Sequence, residues 1–146
     1  MKRALIFDTS SIISLALNNL LDILPQLKKS SKLQFFITPQ VKEELIDNPL
    51  KIKKFELEAL MIMNLVKKGV IEIKNHPGLE KKTREAIDLA NSSYFSKGEK
   101  IKLLHSGEAS CFALQRLLQD YDCALVIDER TARMLSEKPE NLRLLL

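Results

Sequence analysis

Short apolar runs alternate with longer amphipathic stretches along this chain. Residues 4–7, Ala-Leu-Ile-Phe, form the first run, and it stops at Asp8. Such a run reads as a buried parallel strand that delivers its acid to the carboxyl edge of a sheet. The spacing predicts a helix over residues 9–24, with Pro25 as its stop, and a second strand over 33–37. Thr38-Pro39 starts the next helix, Thr as N-cap and Pro at the first helical position, and Asn48-Pro49 ends it. A third helix is predicted over 55–67 with Gly69 as its left-handed cap, then a strand over 70–73 and a more polar helix over 79–94. Residues 96–100 read as a mobile, basic connection. Ser106-Gly107 opens a helix that runs to about residue 119. Residues 124–127 form a fourth strand, 130–136 a short helix and 142–146 a fifth strand at the edge. Strands alternating with helices imply an α/β fold, a parallel sheet covered on both faces. No internal repeat, low-complexity tract or linker interrupts residues 1–146, so a single domain is expected.

Composition narrows the functional classes. A chain of 146 residues buries roughly 68–70% of its unfolded surface, enough for a core without staples. Aromatics make up 5% of residues and Trp is absent, which weakens any reading built on base-stacking platforms. The net charge of +4 is compatible with an anionic partner without demanding one. Cys111 and Cys123 lie twelve positions apart, which is no Cys-x-x-Cys pair; they read as free, buried core thiols in a reducing cytosol, and a cytoplasmic location is expected. No run of about 18 apolar residues predicts a membrane span. Asp8 interrupts the apolar stretch after Met1-Lys2-Arg3 too early for a signal peptide.

The acids carry the chemistry. Residues 124–127, Ala-Leu-Val-Ile, run into Asp128-Glu129 as residues 4–7 run into Asp8. Ligands of open α/β sheets bind at the carboxyl edge of the strands. Glu108 falls in the first turn of its helix, where the dipole favours a carboxylate, and it heads a face continued by Cys111 and Phe112. In the second helix Val41 and Leu45 set the buried face. Glu44 lies about 60° from Val41 and borders the core, while Glu43 points to water. Two carboxylates about 5 Å apart repel by roughly 3 kcal/mol at an effective dielectric of 20. A divalent cation reverses that sign. An all-oxygen donor set suits Mg2+ or Mn2+, and Mg2+ favours phosphate oxygens, so a phosphodiester is the expected substrate.

With those residues in place the chain resembles the PIN-domain family of metal-dependent ribonucleases, which includes the VapC toxins of toxin–antitoxin pairs. The resemblance covers nearly the whole chain. It rests on Ile6-Phe7-Asp8-Thr9-Ser10-Ser11, on residues 38–45 with Glu44, on Ser106-Gly107-Glu108-Ala109 with Ala113 and Leu114, and on residues 125–130 with Ala132-Arg133. It implies a PIN-like three-layer α/β/α fold with a central parallel sheet of about five strands. It also implies a Mg2+- or Mn2+-dependent endoribonuclease in which Asp8, Glu44, Glu108 and Asp128 are catalytic. Asp8, Glu108 and Asp128 would hold the metal, and Ser10 and Glu129 would support the site; Arg130 and Arg133, on the expected turn and helix leaving Asp128, read as contacts to substrate phosphates. RNA, an antitoxin protein and a second copy of the chain are the partners it implies. Two departures stand out: Ser110 occupies a position where this variant often has another acid, and the third acid is Glu rather than the Asp common among VapC toxins.

Two other classes are weighed against this one. Phosphatases of the haloacid-dehalogenase type need a second Asp two residues after the first, where Ser10 stands. A catalytically weak or inactive PIN-like module that binds RNA or protein keeps the fold without the chemistry. Nucleotide-binding loops of the Gly-x-Gly-x-x-Gly or Walker type are absent, and the chain has four Gly in all.

Overall fold

The computed structural model of the chain describes residues 1–92, 95–96, 98–100, 104–128 and 140. Strand β1, Lys2–Phe7, lies between β2, Gln34–Ile37, and a later strand, and pairs in parallel with both. Helices α1, Thr9–Leu17, and α2, Ile23–Ser30, connect β1 to β2. After β2 come α3, Pro39–Lys42, and a wide π turn at Glu43–Asp47. Two single 3-10 turns lead to α4, Glu56–Lys67, and then to the short strand β3, Glu72–Ile73. The chain continues through α5, Leu79–Ser92, a hairpin of β4, Phe95–Ser96, and β5, Glu99–Lys100, then α6, Ser106–Leu117, and β6, Tyr121–Val126. The main sheet runs β3-β2-β1-β6, all parallel, flanked by helices. This is the expected α/β architecture, with four strands in the main sheet among the described residues. The expected helix over 130–136 and the fifth strand over 142–146 lie outside the described residues.

The core follows from the apolar runs. Ile6, Phe35, Phe36 and Ile37 are fully buried, and Phe7 meets Phe35 edge to face at 5.8 Å. Ile12, Val41, Ile62 and Leu114 close over the sheet from the helices. Cys111 is buried, whereas Cys123 is only half-buried, because β6 ends the strand order among the described residues. Both are free thiols.

Several boundaries differ from the pattern: the strand expected over 124–127 spans Tyr121–Val126, and the helix expected from Thr38 narrows to α3 and the π turn. The helix predicted over 9–24 breaks after Leu17, where Asn19 adopts φ +55°. Asn tolerates the left-handed region better than other side-chain-bearing residues, so the two Asn at 18 and 19 make the break. Pro25 then sits in the first turn of α2 instead of stopping a helix, where the backbone N–H would make no intrahelical hydrogen bond for Pro to remove. Within the expected connection, β4 and β5 pair antiparallel, with Gly98 at φ +80° just before β5. Gly69, at φ +73°, follows α4 as the sequence predicts. Among the described residues no helix is long and apolar enough to cross a membrane.

Candidate active site

The strand ends bring the acids to one rim. Phe7 pairs with Val126, and the Asp8 amide donates to the Val126 carbonyl at 3.1 Å. Asp8 is fully buried and caps α1. Its Oδ1 accepts from the Ser11 amide at 2.8 Å and its Oδ2 from the Ser10 hydroxyl at 3.1 Å. Thr38 ends β2 and caps α3, accepting from the Val41 amide at 3.1 Å. That cap launches the short helix that carries Glu44 into the π turn. There the Asn48 amide bonds back to the Glu43 carbonyl at 2.9 Å, five residues away. Glu43 faces solvent and Glu44 turns inward, where its Oε2 accepts from the Thr9 hydroxyl.

Helix α6 supplies the third acid. Its N-cap is His105, one residue before the Ser106 suggested by the sequence. Glu108 is therefore the third helical residue, and its Oε2 accepts from the His105 amide at 3.1 Å, the return half of a capping box. Burial raises the Glu108 carboxyl above its ordinary value, and the Glu44 charge adds to that; the nearby amides and the His105 charge oppose it. The charges of Glu44 and Glu108 are thus near enough to act on one another. One buried thiol registers three acids together: burial, the charges of Asp8 and Glu108, and more weakly that of Glu44 hold Cys111 far above the usual thiol range. Its Sγ lies 3.5 Å from the Phe7 carbonyl, at the end of β1.

Asp128 shares the rim but takes another partner. Its Oδ2 accepts from the Ser14 hydroxyl at 2.5 Å, one turn of α1 beyond Ser10, and the residue is exposed. Glu129, Arg130 and Arg133 lie outside the described residues. A cavity of about 510 Å3 opens at the site, lined by the polar Thr9, Ser10, Glu44, His105, Ser106 and Glu108 and by the apolar Ile13, Ile87 and Leu104. A larger cavity of about 980 Å3, lined by Lys2, Arg3, Lys32 and Asp120, lies at the other end of the strands and includes none of the four acids.

A family model described as DUF3368, PIN domain, matches residues 4–143. The chain belongs to the PIN-domain family. No curated protein matches it. The fold is thus of a nuclease type, and PIN domains are generally nucleases that use divalent metals.

The donor set of this PIN domain suits such a cation chemically: carboxylate and hydroxyl oxygens, with repulsion between Glu44 and Glu108 for a cation to relieve. Among the described residues no three His, Cys, Asp or Glu side chains are grouped as ligands of one ion. That grouping is more than Mg2+ requires, since it keeps several waters and binds through one or two carboxylates together with substrate phosphates. Sequence reasoning missed Thr9 as the partner of Glu44. It also missed Ser110, whose hydroxyl lies 2.6 Å from that of Thr38 and 2.7 Å from the Gly107 carbonyl. The Thr9-Ser10-Ser11 hydroxyl run after Asp8 was a usable signal for the first; nothing in the sequence signals the second.

Proposed function

We propose that this PIN domain is a divalent-metal-dependent endoribonuclease. What supports the reading most is the Glu44 carboxylate, held by the Thr9 hydroxyl next to Asp8 and lying over the first turn of α6, which carries Glu108. Glu44 and Glu108, which line the cavity, would hold Mg2+ or Mn2+ together with waters and phosphate oxygens, and the buried Asp8 would add its charge from behind them. When bound, the cation neutralises the scissile phosphate and lowers the pKa of the attacking water. Ser10 fixes the Asp8 carboxylate and Thr9 fixes that of Glu44. Asp128, at the outer end of the rim on Ser14, would orient the attacking water. Arg130 and Arg133 lie two and five positions after Asp128 in sequence and would hold flanking phosphates through salt-sensitive contacts. Leu104, Ile87 and Ile13 give the cavity an apolar wall for an unstacked base of single-stranded RNA.

The test is incubation with labelled single-stranded RNA and Mn2+, with and without EDTA, beside Asp8→Asn. The proposal expects cleavage that both EDTA and the substitution abolish. Cleavage that survives EDTA contradicts it. A second reading, a PIN-like module that binds RNA without cutting it, is favoured by the absence of a three-ligand grouping among the described residues; retained RNA binding with no cleavage at any Mn2+ concentration selects it. The toxin role rests on the resemblance alone and requires a small DNA-binding antitoxin, encoded beside this chain, that co-purifies with it and blocks cleavage.

A further inference from the structure

We infer that Gly107 is a positioning residue: its missing side chain leaves the notch in which the Glu44 carboxylate is seated beside Glu108. The four glycines of the chain separate by what each position demands. Gly69 and Gly98 have left-handed φ values, and a side chain there would meet nothing within 4 Å. A Cβ on Gly78 would make ordinary contacts, the nearest at 3.5 Å. Gly107 has no left-handed φ and sits in the first turn of α6, where its backbone suits Ala. Helices disfavour Gly relative to Ala, so conformation gives no reason for Gly here.

Space gives the reason. A Cβ at 107 would lie 2.6 Å from Glu44 Oε2, 2.8 Å from Oε1 and 3.0 Å from Cδ. The whole carboxylate therefore covers the Gly107 Cα, while the Thr9 hydroxyl donates to its Oε2. Three separate elements meet there: α1 through Thr9, the π turn through Glu44, and α6 through Gly107. Because Glu108 is the next residue, the same notch fixes the spacing of the Glu44–Glu108 pair. A methyl at 107 would drive the Glu44 carboxylate off Thr9 and away from Glu108. Seating is a matter of packing; its purpose, a pair of carboxylates spaced for a cation, rests on the proposed function.

The experiment is a double-mutant cycle in melting temperature over wild type, Gly107→Ala, Glu44→Ala and the double variant, each with and without Mn2+. In the Glu44→Ala background the notch is empty, so Gly107→Ala should raise Tm by roughly 2–4 °C through helix propensity. With Glu44 present the same change should give no rise, or a fall. A Gly107→Ala protein that does not fold, rescued by Glu44→Ala, is the extreme form of that coupling. Equal Tm changes in the two backgrounds overturn the seating. The Mn2+-induced Tm rise of wild type should disappear in Gly107→Ala as it does in Glu44→Ala, and an undiminished rise overturns the positioning role. Coupling without any Mn2+ effect on wild type leaves the seating intact and removes the metal reading instead.

Discussion

Glu108 carries two loads, a cap and a charge. Its carboxylate closes the first turn of α6, yet burial and Glu44 hold its pKa above the ordinary 4.5. A raised folded pKa means that the folded state binds this proton more tightly than the unfolded chain does. The resulting stability is present below pH 4.5 and is lost as pH rises through the folded value. Ionised Glu108 therefore weakens the metal-free fold at pH 7. Glu108→Gln, which keeps an acceptor for the His105 amide, should raise Tm at pH 7 in EDTA, with the gain gone by about pH 4; a Tm gain independent of pH would assign the effect to something other than charge. Asp8→Asn should behave differently. Asn caps a helix about as well as Asp, so the fold should survive with Tm lowered by a few degrees at most while cleavage is lost. Asp8 was legible in the sequence because a strand that ends on an acid leaves few alternatives. The Thr9–Glu44 bond and the crowding at Gly107 were not, because each joins residues far apart in sequence that only the packed fold brings together.

At the scale of elements, Thr38 ties α3, which leads into Glu44, to the helix that bears Glu108. It caps α3 and meets Ser110 of α6, both fully buried. Thr38→Ala removes the cap and strips the Ser110 hydroxyl of one partner, and should cost about 1–2 kcal/mol, read as a lower denaturant midpoint with unchanged slope. Loss of the same size in Ser110→Ala, with no added loss in the double variant, would show that the shared bond carries the effect. Ser110 stands where an acid was expected by resemblance, and the structure gives it a buried hydrogen-bonding place that a carboxylate would fit poorly. The start of α3 was legible because Thr-Pro is a local signal. The break at Asn18-Asn19 was overrun because the apolar residues of 12–24 continue through it. The π turn was invisible: one residue of extra winding leaves the apolar period almost unchanged, yet it sets how Glu44 meets the rim.

For the whole molecule, the fold class was legible because strand and helix patterns alternate, and the α/β architecture then sends acids to the carboxyl rim. The strand order β3-β2-β1-β6 was not, since neighbouring strands leave no mark in one sequence. The net charge of +4 with a local acid cluster fits a polyanion held by dispersed cations around a metal. RNA affinity, measured with Asp8→Asn to prevent turnover, should fall roughly tenfold or more between 50 and 200 mM salt if about three phosphates are contacted; a flat response would remove phosphate contacts from the account. The central claim is that acids distant in sequence share one divalent cation. Calorimetric titration of Mn2+ tests it most directly. The account predicts binding to the wild-type chain that is lost in Asp8→Asn, Glu44→Gln and Glu108→Gln. Absence of binding to the wild type, or binding undiminished in all three variants, would contradict it.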